Sequence, residues 1–224
     1  MVPKGGAMID GPRLKPASGG AARSLVVFLH GYGADGNDLI DLGRHWAAVL
    51  PNTAFASPHA PERCAEAPSG RQWFPMSMRD PEELWRGVTK AAPALEEFLD
   101  AELKRLSLSA DRLALCGFSQ GTMMALHLGP RRIDQIAGIV GYSGLVAGPE
   151  HLKADLQSMP PVLLVHGADD PLIPAVALHQ AANELGAVSI DVEWHIRPGL
   201  QHGIDAEGLE LGAAFLTRVL GSQG

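Results

Sequence analysis

The stretch Leu113-Ala114-Leu115-Cys116-Gly117-Phe118-Ser119-Gln120-Gly121-Thr122-Met123-Met124-Ala125-Leu126 determines the fold that we predict for this chain. Its first residues are mostly apolar and predict a buried strand, and the run after Gly121 predicts a helix. A strand that turns into a helix within two or three residues crowds its own backbone, so the glycines at 117 and 121 suit such a turn. Ser119 lies at the apex, where a strained conformation presents its hydroxyl above the sheet. We therefore predict that Ser119 is a nucleophile.

Strand and helix patterns alternate on both sides of this turn. Strand-length apolar runs cover residues 24–29, 53–57, 113–117, 136–142, 161–167 and 188–196. Helical patterns cover residues 38–50, 81–106, 122–128, 174–185 and 205–220, with Asn37 or Asp38 as the first cap and Asp80-Pro81 as the second start. This alternation predicts an α/β fold with a mostly parallel central sheet flanked by helices on both faces. We expect residues 1–23 to be a flexible N-terminal segment and lead-in, and residues 24–224 to form a single domain.

Composition and charge exclude several classes of protein. A formal charge of -7 and a pI near 5.7, with no cluster of Lys and Arg, argue against a nucleic-acid partner. No apolar run is long enough to span a bilayer, and the first residues lack the apolar core of a signal peptide, so we expect a cytoplasmic protein. Cys64 and Cys116 are expected to be free thiols, and no residues have metal-ligand spacing, so we predict no metal site.

A serine nucleophile needs a histidine base and an acid that orients the imidazole. In a parallel sheet the site lies beyond the carboxyl ends of the strands. There the loop after the 161–167 run carries Asp169, Asp170 and Pro171, and the loop after the last strand carries His202. We favour Asp170 over Asp169 because the following proline restrains its backbone, while Asp169 reads as a turn residue. The predicted triad is Ser119, Asp170 and His202, in the chain order of α/β-hydrolases.

The transition state also needs two hydrogen-bond donors for the developing oxyanion. One is predicted to be the backbone amide of Gln120, at the positive end of its helix. The other is predicted to be the amide of Tyr32, in a loop whose glycines allow the backbone to approach a substrate closely. His30 and His166 end strands beside glycines, and His195 lies within a strand pattern, so we interpret all three as packing or supporting residues.

Taken together, these motifs resemble the phospholipase/carboxylesterase family, which includes acyl-protein thioesterases. The segments that carry the resemblance are Leu29-His30-Gly31-Tyr32-Gly33, Trp73-Phe74, Gly117-Phe118-Ser119-Gln120-Gly121, His166-Gly167-Ala168-Asp169-Asp170-Pro171 and Gly199-Leu200-Gln201-His202. The resemblance implies an α/β-hydrolase without a large cap domain that needs no cofactor. It implies cleavage of carboxylic esters, and often of thioesters or lysophospholipids, so the expected partner is a small ester or acyl substrate of lipid-like character.

The same resemblance assigns substrate contacts. Trp73 would line the acyl site, and we expect Phe74 and Leu172 to contact substrate as well. The alternative for Trp73 and Phe74 is that two aromatic residues in a long loop anchor that loop to the core. The sequence departs from the family pattern at Ala168, where an Asp is usual, and at Gly203, where eukaryotic thioesterases carry Ser. These departures affect the fine choice of substrate and leave the predicted triad intact.

Two other classes of protein remain to be weighed. Gly31-x-Gly33-x-x-Gly36 matches a dinucleotide-binding fingerprint, but the next strand ends in Ser57-Pro58, without the acid that would bind a ribose hydroxyl. A catalytically silent α/β-hydrolase-fold protein that only binds a ligand is the second alternative, which an ester assay would distinguish. The expected oligomeric state is a monomer or a homodimer.

Overall fold

The strands of the protein form a seven-stranded sheet and a separate two-stranded sheet in the computed structural model, which describes residues 8–77, 80 and 82–221. The strands are β1 (Arg13–Leu14), β2 (Ser24–Leu29), β3 (Thr53–Ala56), β4 (Glu62–Arg63), β5 (Arg71–Gln72), β6 (Leu113–Phe118), β7 (Gly138–Tyr142), β8 (Val162–Gly167) and β9 (Val192–Arg197). The larger sheet has the order β1-β3-β2-β6-β7-β8-β9, and all of its neighbouring pairs are parallel except β1 with β3. The prediction of a mostly parallel sheet is confirmed.

Helices cover both faces of this sheet, as predicted. They are α1 (Gly36–Trp46), α2 (Glu82–Leu106), α3 (Gln120–Leu128), α4 (Pro149–Asp155), α5 (Val176–Gly186) and α6 (Ala206–Gly221). Successive side chains of β2 point to opposite faces of the sheet. Since helices cover both faces, the strand is buried along its whole length. Val26 and Phe28 pack in the apolar cluster of α1 and α6, whereas Val27 and Leu29 pack in the cluster of α2, α3 and α5.

The parallel arrangement brings the loops that follow β2, β6, β8 and β9 to one edge of the sheet. These loops carry the residues that the sequence predicts to be functional. The strands β2 and β6 are neighbours, β8 and β9 are neighbours, and β7 lies between the two pairs. Residues that are far apart in sequence can therefore meet above the centre of the sheet.

The structure differs from the sequence prediction over the described part of the N-terminal lead-in, residues 8–23. Arg13–Leu14 forms β1, an antiparallel edge strand on β3. The Arg13 guanidinium donates to Glu102 Oε1 at 2.8 and 3.0 Å, and the Glu102 side chain is buried in α2. A strand of two residues has no periodicity to detect, so this pairing could not be predicted from the sequence. Residues 1–7, also predicted to be flexible, lie outside the described part of the chain.

Several element boundaries also differ from those predicted. The cap of α1 is Asp35, whose side chain accepts from the Asn37 amide at 2.8 Å, and not Asn37 or Asp38. The helix α2, by contrast, continues through Pro93 to Leu106, as the helical pattern over residues 81–106 predicts. The Asp80 side chain accepts from the Glu82 amide at the start of α2, whereas Pro81 lies outside the described residues. The long loop before α2 contains the two-stranded sheet of β4 and β5, which is not among the strands that the sequence predicts.

Two smaller expectations can also be compared with the structure. Cys64 and Cys116 are both free and buried. Over the ranges that the structure describes, no helix has the length and apolar character needed to cross a bilayer.

Candidate active site

Ser119 lies at the sharp turn between β6 and α3, at the carboxyl edge of the sheet. Its backbone has φ 53° and ψ -115°, a conformation that costs a residue with a side chain about 1–3 kcal/mol. A Cβ atom on Gly121 would lie 1.8 Å from the carbonyl oxygen of Leu29, and one on Gly117 would lie 2.5 Å from the backbone of Gly121. Both glycines are therefore required by the close approach of α3 to the sheet, as the sequence predicts.

A cavity of about 310 Å³ opens beside Ser119. Its walls come from loops that follow five different strands, and most of the side chains in them are apolar. The lining residues are Gly31, Tyr32, Ala34, Asp38, Met76, Phe118, Ser119, Met123, Leu172, Ile173 and His202. This cavity contains the predicted nucleophile and the predicted base, so it is the candidate active site.

Asp170 is held rigidly in the loop after β8. Its side chain is fully buried; Oδ1 accepts from the amides of Leu172 and Ile173 at 2.9 and 3.0 Å, and Oδ2 accepts from His202 Nδ1 at 2.7 Å. Asp169 is exposed. Of the two candidate acids, the structure brings Asp170 alone into contact with His202.

The charge of Asp170 follows from these contacts. Burial by itself would raise the pKa of this carboxyl, but the hydrogen bonds from His202, Ile173 and Leu172 outweigh that effect and hold the pKa below its usual range. An ionised carboxylate can only accept, so His202 Nδ1 carries the proton. The Nε2 atom of His202 is thereby left with a free lone pair, which is the form that a general base requires.

His202 follows β9 and lies on the wall of the cavity with Ser119. Its ring packs against the Phe118 ring at a centroid distance of 5.0 Å. Among the hydrogen bonds of the described residues, none joins the Ser119 hydroxyl to His202. Contacts between nucleophile and base are often loose before substrate binds, so the shared cavity is the relevant relation between these two side chains.

Two backbone amides beside the cavity are available as donors. Over the described parts of the chain, neither the Tyr32 amide nor the Gln120 amide donates a hydrogen bond to another protein group. The Gln120 amide is at the first residue of α3, where a helix has no internal acceptor for it. Gly31, the residue before Tyr32, lies close to the turn that carries Ser119: a Cβ atom on Gly31 would be 3.4 Å from the Cβ of Ser119. The two amides predicted for the oxyanion therefore have no protein acceptor of their own, and both belong to segments that lie next to Ser119.

Trp73 and Phe74 do not line the cavity, which corrects the prediction that they contact substrate. Trp73 is 1% exposed and Phe74 is 0% exposed. The indole Nε1 of Trp73 donates to the His30 carbonyl at 3.0 Å. These two residues anchor the long loop to the core, where both rings are buried and the polar N–H of the Trp73 indole has an acceptor. Leu172, by contrast, does line the cavity and is 68% exposed.

Sequence reasoning missed most of the apolar wall. Phe118 precedes Ser119, Met123 lies about one helical turn after it, and Ile173 follows Leu172. Helical spacing could have indicated Met123, because a residue four positions along α3 lies on the same face as Ser119. No pattern in the sequence indicates Met76, which reaches the cavity from the long loop.

His166 makes a contact that the sequence does not indicate. It is buried at the end of β8, and its Nε2 donates to the Ile173 carbonyl at 2.8 Å. The same atom lies 3.2 Å from Asp170 Oδ2. Two imidazoles therefore approach the one carboxylate oxygen, and His166 helps to fix the loop that carries Asp170.

Groups that could hold a metal lie away from this cavity. Within the described ranges, one set of three side chains brings potential ligand atoms within 4.8 Å of one another, namely Glu82, Glu150 and His151. Both glutamates are exposed, and none of the three lines the cavity beside Ser119.

The sheet order, the strained serine between strand and helix, and the acid and histidine on the last two strand loops define the class of this protein as an α/β-hydrolase. A family model for phospholipase/carboxylesterase matches residues 16–220, so the chain belongs to the phospholipase/carboxylesterase family. This confirms the resemblance seen in the sequence motifs.

Individual relatives agree with this membership. Acyl-protein thioesterase 1 of Schizosaccharomyces pombe is 28% identical over 214 residues, which cover 90% of this chain and 93% of that protein. Esterase YpfH of Escherichia coli is 25% identical, over 84% of this chain and 80% of its own length. The crystal structure of esterase PE8 is 41% identical with a TM-score of 0.92, and it covers 96% of this chain and 100% of that one. The chain is a hydrolase of the esterase and thioesterase group that acts on esters.

Proposed function

We propose that this protein is a serine carboxylesterase in which Ser119 is the nucleophile, His202 the base and Asp170 the acid that orients it. The observation that carries the proposal is the 2.7 Å hydrogen bond between His202 Nδ1 and Asp170 Oδ2, on the wall of the cavity onto which Ser119 opens. The chain order of the three residues is the one that α/β-hydrolases use.

The first half of the reaction forms an acyl-enzyme. His202 Nε2 removes the Ser119 proton as the hydroxyl oxygen attacks the carbonyl carbon of the ester, and the carbonyl electron pair moves onto oxygen. The amides of Tyr32 and Gln120 donate to this oxyanion. The intermediate then collapses, the bond to the alcohol oxygen breaks, and the alcohol leaves with the proton from His202 Nε2.

The second half releases the acid. A water molecule takes the position of the alcohol, His202 removes its proton, and the oxygen attacks the acyl carbon. Collapse of the second intermediate breaks the bond to Ser119 and returns the proton to its hydroxyl. Asp170 stays ionised throughout and stabilises the imidazolium that forms in each half, which its lowered pKa favours.

The substrate is a small carboxylic ester with an apolar acyl group. The cavity wall supports this, because Met76, Met123, Phe118 and Ile173 offer the acyl chain an apolar surface. Thioesters and lysophospholipids are the further candidates, since relatives carry the names acyl-protein thioesterase and lysophospholipase-like protein 1. Nitrophenyl esters and acyl thioesters of increasing chain length, measured on the same enzyme, would separate these substrate classes.

Replacing the nucleophile tests the proposal. Ser119→Ala should lower kcat by about 10⁴- to 10⁶-fold, because no other hydroxyl takes the place of a triad serine. The same substitution should abolish labelling by a fluorophosphonate probe. Ser189→Ala is the matched control, because Ser189 is also a serine with positive φ but lies in a remote turn, and it should leave both readouts unchanged. A Ser119→Ala enzyme that keeps a tenth of the activity would exclude the assignment.

A further inference from the structure

Gln120 contributes more than its backbone amide to this region. Its side chain is fully buried; Oε1 accepts from the Trp73 amide at 2.8 Å, and Nε2 donates to the Phe74 carbonyl at 2.8 Å. These two contacts fix the orientation of the side-chain amide. In the flipped form, Nε2 would face the Trp73 N–H, donor against donor, and Oε1 would face the Phe74 carbonyl, acceptor against acceptor. The residue after the nucleophile is therefore tied to the long loop by two buried hydrogen bonds.

The same segment of the long loop is tied to the loop after β2. The Trp73 indole donates to the His30 carbonyl at 3.0 Å. The His30 ring then fixes its own neighbourhood, because Nε2 accepts from the Ala60 amide at 3.0 Å and Nδ1 donates to the Gly31 carbonyl at 2.8 Å. Burial lowers the pKa of His30, which favours the neutral ring that this pattern needs.

Two backbone hydrogen bonds strengthen the connection on the other side of Tyr32. The Gly33 amide donates to the Arg71 carbonyl at 2.9 Å, and the Arg71 amide donates to the Ala34 carbonyl at 2.7 Å. The 71–74 segment thus holds residues on both sides of Tyr32. It also holds the side chain of Gln120, and so it joins the two loops that carry the proposed oxyanion donors.

We propose that the side chain of Gln120 is a positioning residue for the oxyanion hole. By tying the nucleophile turn to the 71–74 segment, it holds the Tyr32 and Gln120 amides at the separation at which both can donate to one oxyanion. The inference rests on the proposed function, since it concerns the Tyr32 and Gln120 amides as oxyanion donors. The sheet sets the approximate separation of the two loops through the pairing of β2 with β6. Tyr32 and Gln120 both lie beyond the last paired residues of these strands, so the sheet does not by itself fix the distance between their amides. The contacts of the 71–74 segment with both loops limit that distance further.

Gln120→Met tests this positioning role, because it keeps the length of the side chain and removes both hydrogen bonds. The variant should lower kcat by about 10- to 100-fold, since small errors in donor placement act mainly in the transition state. KM should change by less than about threefold, because ground-state binding is largely unaffected. The dependence of kcat/KM on pH should keep its midpoint, because His202 and Asp170 are untouched.

Gln135→Met is the matched control. Gln135 precedes β7 at the amino end of that strand, and its side-chain Oε1 accepts from the Met159 amide at 3.2 Å, so it contacts neither the nucleophile turn nor the 71–74 segment. Its replacement should leave kcat within about twofold of the parent. The proposal is overturned if Gln120→Met also stays within twofold, or if Gln135→Met loses as much activity as Gln120→Met.

Gln120→Glu keeps the proposal testable should the methionine variant not fold. A protonated glutamic acid accepts from Trp73 and donates to Phe74, as the amide does, whereas the ionised form has no proton to donate. The ratio of its kcat to that of the parent should therefore rise as the pH falls from about 8 to about 6. A ratio that does not change with pH contradicts the positioning role.

These outcomes remain separate from a failure of the proposed function. If the parent enzyme is not labelled by a fluorophosphonate, or if Ser119→Ala stays active, the triad assignment fails. If both of those results are as expected and Gln120→Met nevertheless keeps its kcat, the triad stands and the positioning role alone is wrong.

Discussion

Asp169 and Asp170 are adjacent in the chain and yet differ in every contact that bears on chemistry. Asp170 is buried and accepts three hydrogen bonds, whereas Asp169 is exposed. Pro171 restrains the backbone, as the sequence suggested, but the decisive interaction is the pair of amides beyond it, from Leu172 and Ile173. An aspartate that accepts from amides two and three residues later closes a local turn. That turn aims its second oxygen at His202.

Exchanging each carboxylate for an amide should separate the two residues. Asp170→Asn should lower kcat by about 10³- to 10⁴-fold, because an amide can donate to Nδ1 and favour the wrong tautomer of His202. Asp169→Asn should stay within about threefold of the parent. Steady-state kinetics on a nitrophenyl ester provide the measurement. The reverse ranking would move the acid to Asp169.

The adjacent residues Trp73 and Phe74 show what could not be predicted from single residues. The resemblance to the family placed Trp73 at the acyl site and we expected Phe74 to contact substrate as well, but the structure buries both side chains in the core, which is the alternative weighed from the sequence. A long loop has no periodicity, so its sequence does not say which face meets the core. Two large aromatic side chains indicate burial, because they remove much apolar surface from water. They do not indicate on which side of the loop the cavity lies.

Among the elements of the fold, α3 has little room to shift relative to the sheet. It begins directly after Ser119 and runs so close to β2 that Gly121 has no room for a side chain beside the Leu29 carbonyl. Both the strand and the helix were predictable, because a continuous apolar run and a pair of spaced glycines have few other readings. The exact cap of α1 was not predictable, because Asp35, Asn37 and Asp38 are all good capping residues.

Adding one methyl group to this contact should be costly. Gly121→Ala places its Cβ 1.8 Å from a backbone oxygen, so α3 must shift, and we expect a loss of about 3 kcal/mol or more in the free energy of unfolding. The shift moves the Gln120 amide as well, so kcat should also fall. Urea denaturation followed by circular dichroism measures the first effect.

Gly186→Ala is the control for this substitution. Gly186 ends α5, and a Cβ atom there would meet nothing within 4 Å. The change should be neutral or stabilising by up to about 1 kcal/mol, because alanine restricts the unfolded chain. Equal stability of the two variants would show that the contact with Leu29 is not rigid.

The architecture of the whole molecule follows from patterns that extend over many residues. Buried parallel strands such as β2, β6 and β8 appear as unbroken apolar runs, which a helix-covered sheet requires on both faces. The rule that sites lie at the carboxyl ends of strands then located the candidate triad. Contacts across the sheet, such as that of His166 with Asp170, depend on side-chain placement to within an ångström. Patterns of hydrophobicity do not carry that information.

Stability should fall when the pH is lowered below neutrality, and His127 is one cause. Burial, with a smaller contribution from the charge of Arg131, lowers the pKa of His127 from 6.5 to about 3. Between these values the unfolded chain binds a proton that the folded protein does not, so acid favours unfolding by at most about 1.4 kcal/mol per pH unit from this group. Urea midpoints measured from about pH 7 to about pH 4 should reveal the slope.

His127→Phe removes this titration while keeping an aromatic ring against Trp85, which His127 contacts at a centroid distance of 5.3 Å. The variant should therefore lose less stability than the parent over the same pH range. The same replacement at His45, an exposed residue of α1, serves as the control and should leave the slope as it is in the parent. A slope unchanged by His127→Phe would mean that the acid sensitivity arises elsewhere.

The short strand β1 has a consequence for how this molecule meets copies of itself. It covers the outer side of β3, whose four residues are all buried, and Arg13 fastens it to α2 through Glu102. A chain trimmed to begin at Ser24 would uncover a row of backbone amides and carbonyls beside apolar side chains, a template onto which another chain can add a strand. The lead-in is therefore an edge strand of the sheet, and by pairing with β3 it occupies backbone groups that would otherwise be open to another chain.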